Sequence, residues 1–334
     1  MRTNVIYIFL FLSSFTQSFA QTSINWLSIE EAEAKNKLEP RPFLIDLYTE
    51  WCGWCKKLDA TTYRDPQIVS FINQNFYAIK FDAETHDTIV FQGQTFVNPS
   101  SANRSTHQLA MKFMPERRSY PTTYFMDETM KVNLIVPGYL DSKDMAPFLV
   151  YYKEKIYESP SNNINEFRDL FKQTFESTQT TSLNWETMQE ALNKNKTDKK
   201  KIVVFLNDDA TITSKVMKTT SFEDSLVTAY LNENYHVVNF NTQSQETVTI
   251  GEQTLVNNPN EGIYHQLVIA GMLKNPIKFP ACLFFDESNL LITPVPNYMG
   301  PTFLLPVLKY FKEDKYKDTQ FADYLNQYNS AKSN

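Results

Sequence analysis

Apolar and polar positions along this chain fall into short blocks that read by turns as strand and helix. Phe43 to Tyr48 is an apolar run of strand type, and the stretch after it, to about Ala60, is compatible with a helix. Asp65 followed by Pro66 is a helix start, N-cap then first position, and predicts a helix over 66–73. Phe76 to Phe81 returns as a strand. Ile89 to Val97, broken by Gln92-Gly93, predicts a β-hairpin inserted before the next helix, around 105–114. Thr123 to Met126 and Val132 to Val136 predict paired strands about an Asp127-Glu128 turn, and Asp141 opens a closing helix. This succession predicts an α/β sandwich on a central mixed sheet.

The pattern then repeats. Asn25-Trp26 recurs as Asn184-Trp185, an offset of 159. At the same offset Thr62-Tyr63-Arg64-Asp65 becomes Ser221-Phe222-Glu223-Asp224, and Gln94-Thr95-Phe96-Val97-Asn98 becomes Gln253-Thr254-Leu255-Val256-Asn257. Pro121 matches Pro280, Asp127-Glu128 matches Asp286-Glu287, and Val136-Pro137 with Tyr139 matches Val295-Pro296 with Tyr298. One offset held over so long a stretch means two copies of one domain. The expected division is a first domain over 21–157, a linker over 158–181 and a second domain over 182–334. The linker is rich in Ser, Asn, Thr and Gln, yet its Phe167, Leu170, Phe171 and Phe175 are spaced for a helix of its own.

Composition changes this picture little. The chain is 42% apolar and 21% charged, which describes a globular protein, and its net charge of −6 gives no support to nucleic-acid binding. The N-terminus adds more. Arg2 is followed by an unbroken apolar run, Val5 to Leu12, and then by Ser18-Phe19-Ala20 before Gln21. That is the order of a secretory signal over 1–20. The run is well short of the ~20 residues of a spanning helix, so no stable membrane insertion is expected. No Cys follows it that would carry a lipid anchor.

Export places the chain where disulfides persist. Only Cys52, Cys55 and Cys282 are present, and two of them form one C-x-x-C, so the pair points to chemistry rather than scaffolding. Trp51-Cys52-Gly53-Trp54-Cys55-Lys56 follows a strand and opens a helix. A cysteine at a helix N-terminus faces unpaired N–H groups and the positive end of the dipole, which stabilise a thiolate. Cys52 is therefore the candidate nucleophile, and Cys55, one turn on, resolves the mixed disulfide. The rival reading is zinc, but a closed site needs four ligands, Cys282 stands alone, and His86, His107, His236 and His265 form no close pair. No metal and no cofactor are expected.

The run Leu44-Ile45-Asp46-Leu47-Tyr48-Thr49-Glu50-Trp51-Cys52-Gly53-Trp54-Cys55-Lys56, with Tyr120-Pro121-Thr122, resembles the thioredoxin superfamily. The tail through Asp59, Thr62-Tyr63 and Asp65-Pro66 is similar to its periplasmic reductase branch. The resemblance covers 24–156 well and 183–313 in degenerate form. It implies two tandem thioredoxin-like folds, and a cis proline at Pro121 beside the nucleophile that leaves an edge free for an extended substrate. It also makes Asp46, six residues before Cys52, a buried carboxylate whose raised pKa lets it take the proton of the resolving thiol. Trp51, Gly53, Trp54, Tyr120 and Pro121 are then the surface for bound polypeptide, with the aromatic rings expected to cluster around Cys52. Trp54 departs from the proline that many members carry before the second cysteine. The intervening residues help set a potential that ranges over more than about 100 mV, so the motif leaves the direction of electron flow open.

At the offset, Thr211 and Ser214 replace Cys52 and Cys55, Phe205 replaces Asp46, and Cys282 falls at Thr123 on a presumed core strand. The second copy is expected to lack dithiol exchange. The leading function is a thiol–disulfide reductase of exported, disulfide-containing proteins in the periplasm, with a membrane thiol-reductant donor as a candidate partner. The alternatives are a binding module with a structural Cys52–Cys55 disulfide, or an oxidase or isomerase.

Overall fold

The computed structural model describes residues 23–114, 119–159, 162–176, 182–272 and 278–332. The signal segment expected over 1–20 lies outside the described residues. The chain divides into two compact units, residues 1–139 and 140–334.

The first unit runs β1 (Trp26–Leu27), α1 (Ile29–Leu38), β2 (Phe43–Tyr48), α2 (Gly53–Ala60), α3 (Pro66–Asn75), β3 (Tyr77–Asp82), β4 (Ile89–Phe91), β5 (Gln94–Phe96), α4 (Gln108–Phe113), β6 (Thr122–Met126) and β7 (Val132–Pro137). Its five-stranded sheet has the order β1-β3-β2-β6-β7. The β1–β3 and β2–β3 pairs are parallel, and β2–β6 and β6–β7 are antiparallel. β2 is the middle strand and is buried on both faces at Phe43, Leu44, Ile45 and Leu47. A strand covered on both sides reads as a continuous apolar run, which is how it announces itself in the sequence. Asp65 caps α3, accepting from Gln67 N–H at 2.9 Å and Ile68 N–H at 3.3 Å, with Pro66 at the first helical position. β4 and β5 form the expected hairpin.

β1 and α1 are additions to the elements the pattern predicts. β1 is two residues long at a sheet edge. α1 is rich in Glu and Lys and buries Ile29, Ala32 and Asn36, so it shows no apolar stripe in the sequence. It is held instead by a capping box, Ser28 with Glu31.

The second unit repeats this order after two helices, α5 (Ser142–Lys153) and α6 (Ile164–Glu176). Then come β8 (Trp185–Glu186), α7 (Met188–Lys194), β9 (Lys201–Asn207), α8 (Ile212–Val216), α9 (Ser225–Asn234), β10 (Tyr235–Asn241), β11 (Val248–Ile250), β12 (Gln253–Leu255), α10 (Gln266–Gly271), β13 (Ala281–Phe285), β14 (Leu291–Pro296), α11 (Pro301–Lys312) and α12 (Phe321–Lys332). The sheet order β8-β10-β9-β13-β14 is the first sheet again, with the same parallel and antiparallel pairs. The chain thus holds two mixed five-stranded sheets, each flanked by helices in the thioredoxin arrangement.

The division between units falls before α5, the helix that the pattern places in the first domain. Its packing gives the reason. Tyr151 meets Phe167 at 5.8 Å and donates to Asn162 O at 2.6 Å, Arg168 lies 4.8 Å over Phe148, and Lys172 Nζ is 2.8 Å from Asp144. Phe167 is fully buried and touches Tyr298 at 5.3 Å, so the middle of the expected linker is a packed helix. Among the described residues no helix is long and apolar enough to cross a membrane.

Candidate active site

The end of β2 and the start of α2 place Cys52 and Cys55. Cys52 is the N-cap of α2, in extended backbone conformation, and its Sγ accepts the Cys55 N–H at 3.0 Å. The two are joined as a disulfide. Cys52 is 5% exposed and Cys55 1%, whereas Trp51 and Trp54 beside them are 49% and 57% exposed. A capping sulfur that already accepts a backbone N–H gains the same donor as a thiolate, in the positive field of the helix end.

Asp46 sits on β2 with no exposed surface. Burial raises its carboxyl pKa, against the opposing pull of Lys80. Lys80 is its partner across the parallel register on β3, with Nζ 2.8 Å from Oδ2, and also contacts Asp59 on α2. The other oxygen of Asp46 has no hydrogen-bond partner among the described residues. Lys80 itself lies over Trp26, Tyr48 and Tyr63 at 5.2, 4.9 and 5.6 Å. The carboxylate therefore belongs to a chain of charges, Asp46–Lys80–Asp59, that ends at a half-exposed group. Lys80 and Asp59 were not found by sequence reasoning. Asp59 follows Cys55 by four, a helical spacing that could have drawn notice, but Lys80 depends on strand register.

The Tyr120-Pro121 peptide bond is cis. The Tyr120 ring meets Trp51 edge-on at 6.0 Å, so the loop before β6 lies against the residue before Cys52. The expected single aromatic cluster divides in two. Trp51 pairs with Tyr120, whereas Trp54 pairs with Tyr139 at 5.6 Å, with Lys57 Nζ 4.8 Å over each ring of that second pair. Trp51 precedes the N-cap and lies outside α2, whereas Trp54 is in its first turn, so helical spacing does not bring the two indoles together. Gly53 is exposed, and nothing lies within 4 Å of the place a Cβ would take, so space does not demand glycine there.

Beside Trp51 is a groove of about 370 Å³ lined by Trp51, Glu84, Arg104, Thr106 and Tyr120. Trp51 Nε1 donates to both carboxylate oxygens of Glu84, at 3.0 and 3.1 Å, and the Arg104 guanidinium lies 5.0 Å over the indole. Glu84 and Arg104 come from the segment around the inserted hairpin, far from the motif in sequence, and carry no local signal.

The matching place in the second unit holds a hydrogen bond, Thr211 Oγ1 to Ser214 Oγ at 2.6 Å. The Glu154 carboxylate accepts from Ile212 N–H at 2.9 Å and Thr213 N–H at 3.0 Å. Phe205 occupies the register position of Asp46, opposite Cys282 and Asn239, as Asp46 is opposite Thr123 and Lys80. Phe205 packs on Phe222 at 4.8 Å and Trp185 at 6.1 Å. Cys282 is fully buried, which pushes its thiol pKa up and away from reactivity. Pro280 is cis as well.

Residues 10–144 match the family described as Thioredox_DsbH, a protein of unknown function, DUF255. No curated protein matches the chain. Among solved structures it is similar to a DsbH oxidoreductase, at 17% identity and TM-score 0.27, over 37% of this chain and 82% of that one. It is similar to a putative disulphide-isomerase from Bacteroides thetaiotaomicron at 20% and 0.28, over 47% and 98%. A thioredoxin-fold protein from Helicobacter pylori matches at 14% and 0.33, over 46% and 91%.

Proposed function

We propose that this chain is a thiol–disulfide oxidoreductase that reduces disulfides of exported proteins, a reading supported by the match of residues 10–144 to the Thioredox_DsbH family. The observation that carries the reading is the placement of the pair: Cys52 caps α2 and accepts a backbone N–H, and buried Asp46 lies on the strand that leads into it.

In this reading the reduced protein presents Cys52 as thiolate. Its sulfur attacks one sulfur of a substrate disulfide, an S–S bond forms to Cys52, and the other substrate sulfur leaves as a thiolate. Asp46 in its charged form then takes the proton of the Cys55 thiol. The Cys55 sulfur attacks Cys52 Sγ, closes the intramolecular disulfide and releases the second substrate sulfur as a thiolate. Two electrons pass to the substrate, and a dithiol donor must restore the pair. A membrane thiol-reductant carrier is the donor class we propose, with Trp51, Trp54, Tyr120 and Pro121 as the contact surface for bound polypeptide. Export through the segment 1–20 and a periplasmic site of action belong to the same proposal.

The test uses full-length protein and a disulfide-linked model peptide. The wild type reduces the peptide in stoichiometric single turnover, Cys52→Ser is inert, and Cys55→Ser accumulates a mixed disulfide through Cys52, seen by non-reducing electrophoresis and mass. A wild-type dithiol that leaves the peptide oxidised would make the pair a structural bridge in a binding module.

A further inference from the structure

The groove beside Trp51 contains two charged groups that the exchange chemistry does not use, Glu84 and Arg104. Arg104 makes no hydrogen bond or ion pair among the described residues, although the Glu84 carboxylate lies against the same indole. Glu84 is turned to the indole N–H, at the ring edge, while the guanidinium covers the ring face. Its donor fork is therefore held one residue from Cys52 without a carboxylate partner.

The loop is built to hold it there. Asn98 Nδ2 donates to Thr85 O at 3.1 Å and Ser105 O at 2.8 Å, tying the segment that bears Glu84 to the residue after Arg104. Ser105 Oγ donates to Ser100 O at 2.7 Å, and His107 N–H to Ala83 O at 2.8 Å. Arg104 itself has φ +62, a left-handed conformation that disfavours a residue with a Cβ.

The second copy supplies an internal comparison. Its loop keeps the clasp, with Asn257 Nδ2 donating to Gln243 O at 3.2 Å and Ile263 O at 3.4 Å, and keeps a capping histidine, His265 for His107. Three residues before that histidine, at the place of Arg104, stands Gly262 with φ +122. Trp51 becomes Ala210 and Glu84 becomes Gln243. The copy without the cysteine pair thus has the residue that the backbone favours, and the copy with the pair carries arginine in spite of it.

We propose that Arg104 is a specificity residue that receives a carboxylate carried by the substrate close to its disulfide cysteine. This rests on the first unit's exchanging disulfides as proposed above. The planar fork suits a carboxylate, and its stacking on Trp51 fixes the orientation in advance. Two sources offer that group, an acidic side chain next to the cysteine or the C-terminal carboxylate of a short peptide.

The experiment measures the second-order rate at which peptide disulfides oxidise the reduced full-length protein. C-terminally amidated peptides carry Asp, Ala or Lys beside the cysteine, and a fourth has Ala there and a free C-terminus. The wild type is expected to prefer Asp over Ala by about tenfold, the size of one charge-assisted contact. Arg104→Ala brings that ratio to about one, Arg104→Lys keeps part of it, and Arg104→Glu turns the preference toward Lys. Arg104→Gly, with the residue of the second copy, gives the same answer if the alanine variant does not fold. A preference for the free C-terminus alone, lost in the same variants, assigns the second source. An Asp-to-Ala ratio that stays the same in wild type and Arg104→Gly overturns the proposal. Failure of every peptide to react overturns the oxidoreductase reading itself, and the proposal with it.

Discussion

At position 46 a carboxylate lies in the middle of the first sheet, and at its counterpart, 205, a phenyl ring does. The exchange extends to the neighbours: Lys80 becomes Asn239 and Tyr63 becomes Phe222, while Trp26 is kept as Trp185. Where the first unit has a lysine between two carboxylates under three rings, the second has Phe205 packed on Phe222 and Trp185. Replacing a buried ion pair with packed apolar groups is often neutral or stabilising by about 1–4 kcal/mol. Stability alone therefore does not keep Asp46, which supports a chemical role. The raised pKa of Asp46 fixes the sign of two effects. Between the unfolded carboxyl value, ~3.9, and the higher folded one, the folded state binds the extra proton, so stability falls as pH rises through that window. The stability of Asp46→Asn relative to wild type should accordingly rise as pH goes from about 4 to neutral. The same variant should resolve the Cys52 mixed disulfide about 10²-fold more slowly, the lower range for a lost general base. A melting difference that is flat in pH, with unchanged resolution, would remove Asp46 from the mechanism. In the sequence Asp46 stood out as a charge inside an apolar run. Lys80 did not, since β3 reads as a strand whatever faces Asp46.

For whole elements, legibility follows how local the signal is. β2 and α2 are marked by an apolar run and a motif, α3 by Asp65-Pro66, and the hairpin by Gln92-Gly93. These agree with the structure to within a few residues. α1 and β1 stayed hidden because one is a polar helix and the other two residues of edge strand. The groove beside Cys52 was hidden for another reason: Glu84 and Arg104 reach Trp51 through loop geometry. α8 shows what an active-site element becomes without cysteines. Thr211 and Ser214 still bring two side-chain heads together at 2.6 Å, but the Glu154 carboxylate takes the backbone N–H groups of Ile212 and Thr213. Thr211→Cys with Ser214→Cys should therefore close a second disulfide under mild oxidant, seen as the loss of two hydrogens by mass. Its reduced form should alkylate with a higher apparent pKa than Cys52, since a resident carboxylate disfavours a thiolate at that helix end. A grafted pair that stays reduced, or one as reactive as the first, would refute this view of the second site.

Across the whole molecule, duplication was legible because one offset, 159, carries matched residues on both sides of the loop before α4, where it is 158, and both sheets have the same strand order. The boundary was less legible. The segment over 158–181 has the composition of a linker, yet α6 within it packs on α5, and the compact units divide at residue 139. One copy retains the dithiol pair, its buried carboxylate and the guanidinium beside it, and the other has lost all of them together. That pattern supports a single redox centre per chain. The central claim is exchange in the reducing direction, and the most direct measurement is the reduction potential of the Cys52–Cys55 pair in the full-length protein, equilibrated in glutathione buffers and thiol-trapped. A pair that works as a reductant should have a value near that of thioredoxin, about −270 mV. A value near about −120 mV would make the protein a disulfide donor, and a pair that does not equilibrate at all would contradict the enzyme.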